Sequence, residues 1–213
     1  MNPMLNFVSI DREDGLLLAR SYDALLNKEN IQILTKTQEK EKLLIQTINA
    51  LKIPFAASFS FQNLFKLKCE YGSFYIAQCL IDFGYPVTRG GMQYSDQRYR
   101  YSMIGMANIS VDLGITNMRT ETLADRIINR FFNGDINFPG SEKFSDKYYL
   151  ASTNRDAVEL YFTKDFLNTL GKYNDLMLTS KGSELYISFD GGLAEDQSRQ
   201  IQEILSSFRY LKR

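Results

Sequence analysis

Apolar and polar residues alternate along the segment between residues 55 and 71. Phenylalanine, leucine, cysteine and tyrosine occupy most odd positions, while serine, lysine and glutamate occupy most even ones. Because successive side chains of a strand point to opposite faces, this pattern predicts a half-buried strand, with a break near Gln62. The same alternation from residues 75 to 83 predicts the return strand of a hairpin.

The turn of this hairpin decides which residues face each other. A three-residue loop at 72–74 would pair Cys69 with Ala77 and Leu67 with Cys79, so that apolar residues share one face. The two cysteines would then be diagonal neighbours at about 7–8 Å. A disulfide needs Cβ atoms within about 4.5 Å, so we predict two free thiols.

A loop is predicted for the following segment, GYPVTRGG at residues 84–91, because it contains a proline and three glycines. The next alternation lies at Arg98-Tyr99-Arg100-Tyr101 and predicts a strand that continues towards residue 114. Such a strand places both arginines on one face and both tyrosines on the other.

Helical periodicity predicts N-terminal helices at residues 16–26 and 29–51. The second helix carries a stripe at heptad spacing, which is typical either of a helix that binds a partner or of a helix that packs on its own domain. The stripe consists of Ile31, Leu34, Gln38, Glu41, Ile45 and Ile48. Further helices are predicted at residues 120–132, 155–170 and 194–211.

The segment 144–162 combines both periods in a strand-turn-helix unit. Residues 148–150 predict a short strand, and the helical period starts at Arg155. Thr153 with Asp156 three residues later fits a capping box at the start of this helix. Near the C-terminus, a hairpin around residues 180–183 would pair Leu178 with Leu185 and Leu176 with Ile187.

These elements predict an α+β fold, in which an antiparallel sheet has helices packed on one face, plus an N-terminal helical region. The sheet would consist mainly of residues 55–83 and 98–114 and the C-terminal hairpin. We divide the chain into an N-terminal helical arm or lobe, 1–52, and an α+β domain, 53–213.

Composition excludes several chemistries. The chain has no histidine, which removes Ser-His-Asp catalysis and every histidine-containing zinc site. With 2 cysteines it also lacks a four-cysteine metal site within one chain. We therefore expect no cofactor, no metal site and no catalytic residue. An enzyme that uses carboxylate, lysine or tyrosine chemistry remains an open alternative.

The candidate interaction surface consists of Arg89, Arg98, Tyr99, Arg100 and Tyr101. Interleaved arginines and tyrosines can contact phosphates and stack on bases. On this strand, however, charge and aromatic rings would lie on opposite faces, and lysine plus arginine equals aspartate plus glutamate at 25 each. Both observations argue against nucleic acid as the partner.

The C-terminal half resembles an uncharacterised domain that recurs in bacterial proteins, many of them membrane-anchored. The resemblance covers about residues 95–190. Its pattern comprises an extended segment at 98–114, ETLADRI at 121–127, residues 134–138, Phe144, Ser145, Tyr148, Leu150, Asn154, Val158, Phe162 and the strand at 185–189. The resemblance implies no activity and no catalytic residues. This chain differs from the anchored members because it has no apolar run of the roughly 18 residues that a spanning helix needs.

We therefore expect a non-enzymatic interaction or scaffold protein of the bacterial cytoplasm, with protein partners. It could be a subunit of a larger assembly, including one that associates peripherally with a membrane complex. The first alternative is a domain that binds a small molecule or lipid in an aromatic-lined cavity.

Overall fold

The computed structural model describes residues 12–26, 31–34, 37–51, 58–89, 92–126, 134–190, 193–194 and 196–212. Within this part, the strands are β1 (Ile31–Ile33), β2 (Ser58–Cys69), β3 (Gly72–Arg89), β4 (Met92–Asn108), β5 (Ile115–Thr120), β6 (Tyr148–Ser152), β7 (Leu176–Lys181) and β8 (Glu184–Phe189). The helices are α1 (Arg12–Leu26), α2 (Thr37–Leu51), α3 (Glu142–Ser145), α4 (Arg155–Tyr161), α5 (Lys164–Gly171) and α6 (Gln197–Ser207), and residues 123–126 are also helical.

The eight strands form one antiparallel sheet in the order β1-β2-β3-β4-β8-β7-β5-β6, and the predicted α+β class is confirmed. One face, which we call the α6 face, is covered by α1, α6 and the helices between residues 142 and 171. The opposite, α2 face carries a smaller core beneath α2. The N-terminal helices α1 and α2 therefore lie on opposite sides of the sheet. Helices of the described part are too short or too polar to span a membrane.

A bulge in β2 delivers its aromatic residues to both faces. Phe61 pairs with Cys79 and Asn63 pairs with Gln78, so Gln62 is the extra residue. Odd positions before Gln62 therefore face α2, whereas Phe65 and the odd positions after it face α6. The predicted break near Gln62 is confirmed, and its effect is to exchange the two faces.

The predicted register of the β2–β3 hairpin is wrong. Cys69 pairs with Gly72 and Leu67 with Phe74, because the turn contains two residues rather than three. An odd shift moves every residue of one strand to the opposite face. The two cysteines consequently lie on opposite faces, and both are free thiols as predicted. Burial raises the pKa of the Cys79 thiol.

The predicted register of the C-terminal hairpin is also wrong, but the shift is an even number of residues. Leu178 pairs with Ile187 rather than Leu185, since the turn at Gly182 is two residues long. An even shift preserves the faces, so apolar residues still oppose apolar residues. Gly182 has a φ of 64°, a left-handed conformation that glycine adopts without strain.

All five predicted helices differ in their bounds from the structure, and three differ substantially. Residues 31–33 form an edge strand that pairs with β2, and the helix predicted to begin at residue 29 begins at Thr37. The helix predicted for residues 155–170 is divided into α4 and α5, because Thr163 caps a new helix by accepting the N–H of Phe166. Helix α6 ends at Ser207, and the chain then extends to a bridge between Leu211 and Ile109.

The first turn of α4 is capped one residue later than predicted. Asn154 accepts the N–H of Ala157, whereas the Thr153 hydroxyl accepts the N–H of Ile115 at 2.9 Å. The strand predicted at residues 148–150 is confirmed as β6.

Helix α6 packs on β4 at a position without a side chain. A Cβ placed on Gly105 would lie 2.3 Å from Ile201 Cγ2 and 2.9 Å from Leu205 Cδ1, and both of these side chains are fully buried. Ile201 and Leu205 are four residues apart, so they form adjacent turns of one helix face. Glycine at 105 thus lets the helix approach the sheet closely.

Candidate interaction surface on the β3–β4 arm

The β3–β4 hairpin extends beyond the other strands of the described residues. Strand β2 ends at the pair Ser58–Asp82, whereas β3 and β4 continue to pair through seven more rungs, from Phe83–Arg98 to Arg89–Met92. The first and last of these rungs are about 20 Å apart at the usual rise of about 3.3 Å per residue. We call residues 83–89 and 92–98 the arm.

Both outer edges of the arm are open in the described part of the chain. Strand β8 pairs with β4 at residues 105–108, and the pairs of β2 with β3 end at Asp82. Backbone N–H and C=O groups at such an edge lack a neighbouring strand, which makes the edge a template for another extended chain.

The loop predicted at residues 84–91 is therefore wrong for residues 84–89, which belong to β3. The proline and glycine content was misleading, because a proline is compatible with a strand whose outer edge is open. A better signal was present: Gly90-Gly91 separates two extended runs by two residues, which is typical of a tight hairpin. Residues 90 and 91 themselves lie outside the described residues.

The five predicted surface residues all belong to this hairpin but do not form one cluster. Arg89 pairs with Met92 at the tip of the arm, while Arg98, Tyr99 and Arg100 lie opposite Phe83, Asp82 and Ile81 near its base. For Arg89, Arg98 and Tyr99 the structure describes the backbone only. In the backbone pairing, Arg89 at the tip lies six rungs or more from Arg98 and Arg100 at the base.

At the base of the arm, side chains of β4 begin to pack in the core. Tyr101 is 6% exposed and belongs to the α6-face core, whereas Arg100 is half-buried. Since adjacent residues of a strand alternate, these two residues lie on opposite faces. The prediction that arginine and tyrosine separate to different faces thus agrees with the geometry at this pair. A buried Tyr101 serves packing rather than binding.

A second accessible surface lies on α2. The stripe positions within this helix, Gln38, Glu41, Ile45 and Ile48, are all exposed, and Ile45 and Ile48 are 60% and 44% exposed. These four positions therefore face away from the sheet, whereas Leu34 of the same stripe is buried in the core of the α2 face. The exposed part of the stripe favours the partner-binding interpretation over packing on the same domain.

Helix α2 instead contacts the sheet partly through polar side chains. Gln46 donates to Glu184 Oε1 at 2.9 Å, and the Tyr186 hydroxyl donates to the other oxygen of Glu184 at 2.9 Å. The Tyr75 hydroxyl donates to Glu39 at 3.1 Å. Burial, followed by this bond to Glu39, raises the pKa of Tyr75 to about 12, and burial with Glu184 raises the pKa of Tyr186.

An open cleft of about 420 Å³ lies beside these contacts, between α2 and the β7–β8 turn. Its side chains are polar or charged, and they include Gln46, Asn49, Asp112, Lys181 and Glu184. This lining differs from the aromatic-lined cavity that the ligand-binding alternative predicts.

Asp125 and Asp135, the two acidic residues that are buried among the described residues, have structural partners. Asp125 receives two 2.6 Å hydrogen bonds from the Arg119 guanidinium and also accepts the N–H and hydroxyl of Thr122. The bond from Arg119 is the largest of the effects that lower the pKa of Asp125. Asp135 accepts the N–H of Leu150 at 2.8 Å, and burial raises its pKa. The described residues contain no group of three or more potential metal ligands.

Comparisons with family models, with curated proteins and with solved structures returned no match to this chain. The resemblance over about residues 95–190 therefore stays a prediction. The arm, the α2 stripe and the cleft are the features of the described chain that bear on function.

Proposed function

We propose that this chain is a non-enzymatic interaction or scaffold protein and that the β3–β4 arm is its docking element. The observation that carries the proposal is the seven-rung arm, whose two outer edges are open among the described strands. An open edge binds an extended partner through backbone hydrogen bonds, while the side chains beside it provide selectivity. The predicted surface residues lie on or at the base of this element.

The α2 stripe supports the same function. Ile45 and Ile48 lie three residues apart on the outer face of the helix, where they can contact a partner helix. Two separate surfaces, a strand edge and a helix stripe, suit a protein that joins other chains in a larger assembly. Placement in the bacterial cytoplasm, and peripheral association with a membrane complex, belong to this proposal.

The test is gentle isolation of the tagged protein from its own cells, followed by mass spectrometry of the proteins that accompany it. A short-arm variant replaces residues 84–97 with Asn-Gly, so that Phe83 and Arg98 flank a two-residue turn of the favoured type. We expect the full chain to retain partners at stoichiometric amounts and the short-arm variant to lose them.

A matched control keeps the arm and changes the helix. The double substitution Ile45→Lys/Ile48→Lys alters two exposed positions, so it should leave the thermal stability unchanged while it weakens any partner bound at α2. A full chain that is isolated alone and remains monomeric would refute the proposal. Partners retained equally by the short-arm variant would refute the role of the arm.

The polar cleft favours a second candidate function, the binding of a small polar molecule. Lys181 offers a cation, and Asp112 and Glu184 offer carboxylates, on one open surface. Small molecules released from the purified protein by heat and identified by mass spectrometry would test this function. An Asn49→Trp variant, which fills the cleft, should release none of them. The carboxylate, lysine or tyrosine enzyme remains an untested alternative.

A further inference from the structure

The two edges of the arm differ because of one proline. Pro86 pairs with Ser95 in the middle of the arm, and proline has no N–H to donate. Within sheets, proline occurs where its nitrogen faces away from the ladder. Pro86 thus leaves the outer edge of β3 without a donor at its centre.

The outer edge of β4 is complete by contrast. Two residues that oppose each other in an antiparallel pair either both bond across the ladder or both face outward. Ser95 therefore shares the outward orientation of Pro86, as do the backbone groups of Gln93, Gln97 and Tyr99 by alternation. Residues 92–99 contain no proline, so each outward position of this edge keeps both its donor and its acceptor.

We propose that the outer edge of β4 binds the same edge of a second copy of this chain, antiparallel across a two-fold axis. The inference rests on the proposed function of the arm and names its partner. Strand pairing of this kind is isologous, because the same residues contribute from both copies.

The distribution of charge along β4 selects one register. With Gln97 opposite Gln97, Asp96 of each copy falls opposite Arg98 of the other, and Tyr94 falls opposite Arg100. Opposite charges in directly opposed positions stabilise a strand pair, and like charges destabilise it. Moving the axis by one residue would oppose either two copies of Asp96 or two copies of Arg98. The register centred on Gln97 avoids both conflicts and forms two opposite-charge pairs.

Sedimentation equilibrium of the full-length protein over a range of concentrations tests this inference through charge reversal. Asp96→Arg and Arg98→Asp each replace two attractive pairs by two repulsive ones. We expect either substitution to raise the dimer dissociation constant about ten-fold or more. The double variant Asp96→Arg/Arg98→Asp exchanges the charges and should return the constant to within about three-fold of the original.

Two controls keep the result interpretable. Circular dichroism should show the same spectrum for all variants, and if one single variant fails to fold, the other tests the same pair. The short-arm variant should be monomeric.

A chain that is monomeric at every concentration would overturn the inference, and so would a dimer that the charge reversals do not affect. If the chain is monomeric but its arm still captures another protein in cells, the proposed function stands, and the partner of the arm is a different protein rather than a second copy. If the chain is monomeric and its arm captures no protein in cells, both the inference and the proposed function are refuted.

Discussion

Replacing Gly105 with alanine tests how closely α6 approaches the sheet. The added Cβ would lie 2.3 Å from Ile201 Cγ2, much closer than the 3.4–4 Å of ordinary contact. Ile201 is fully buried, so its side chain cannot move into solvent. The helix or the strand must shift to accept the methyl group.

The magnitude follows from two opposing effects. Overpacking of a buried contact typically costs about 1–3 kcal/mol. Alanine also gives the unfolded chain less conformational freedom than glycine does. This effect stabilises the folded protein by about 0.5–1 kcal/mol. We therefore expect Gly105→Ala to lower the free energy of unfolding by about 1–2 kcal/mol. In a chain of this size, each kcal/mol lowers the melting temperature by roughly 2–4 °C.

A double-mutant cycle separates the contact from other effects. Ile201→Ala alone should cost about 2–5 kcal/mol, because it leaves a cavity beside Gly105. In that background the added methyl group has room, and Gly105→Ala should be neutral or stabilising by up to about 1 kcal/mol. The coupling energy between the two sites should therefore be about 1–3 kcal/mol.

The assay is urea denaturation of the four proteins, with unchanged m-values as the condition for comparing free energies. If Gly105→Ala changes the free energy of unfolding equally with isoleucine and with alanine at position 201, the close contact between α6 and β4 described above is refuted.

Three further predictions concern single sites. Asp125→Asn, which weakens the bonds to Arg119, should lower the free energy of unfolding by about 1–2 kcal/mol at pH 7. The folded protein lowers the pKa of Asp125, so this difference in stability should be constant above the ordinary aspartate pKa. It should disappear as the pH falls towards the pKa of Asp125 in the folded protein. Asp135→Ala should cost about 1–3 kcal/mol by leaving the Leu150 N–H without its acceptor. Asp135→Asn should be neutral or stabilising at pH 7, and because burial raises the Asp135 pKa, the natural protein should gain stability relative to this variant on acidification. Gly182→Ala should cost about 1–2 kcal/mol, because its φ is left-handed.

Denaturation at several pH values checks these predictions. A pH-independent difference between the natural protein and Asp125→Asn would contradict the ion-pair argument. For Gly182, the control is Gly182→Asn, which tolerates positive φ better and should cost less than alanine. An alanine variant as stable as the natural protein would exclude the turn conformation described above.

The sequence predicted the fold class, the free thiols and strand β6, since each depends on local periodicity or on residue counts. It did not predict the β2–β3 register, because Glu70 and Tyr71 are not residues that mark a two-residue turn. The sheet is also covered on both faces in this region, so apolar residues occur at odd and even positions of β3. A hydrophobic pattern specifies register when one face is polar, and here neither is.

The candidate surfaces show the same limit. The heptad stripe of α2 was visible in the sequence, but its direction was not, because the inner face of the helix combines polar Gln46 and Thr47 with apolar Leu43, Ala50 and Leu51. The arm was not predicted, because a proline and three glycines between residues 84 and 91 favour a loop. In both cases a polar or backbone-modifying residue serves a tertiary position that local reasoning cannot assign.

The sheet consists of two four-stranded halves, β1–β4 and β5–β8, which pair through four rungs between residues 105–108 and 184–187. Antiparallel hydrogen bonds run perpendicular to the strands, so tension along β4 loads these four rungs together in shear. Helix α6 contacts β3, β4 and β8 and spans the same junction. Because the arm and this junction are parts of one continuous strand, a force applied to the arm along its axis reaches the C-terminal half through all four rungs at once.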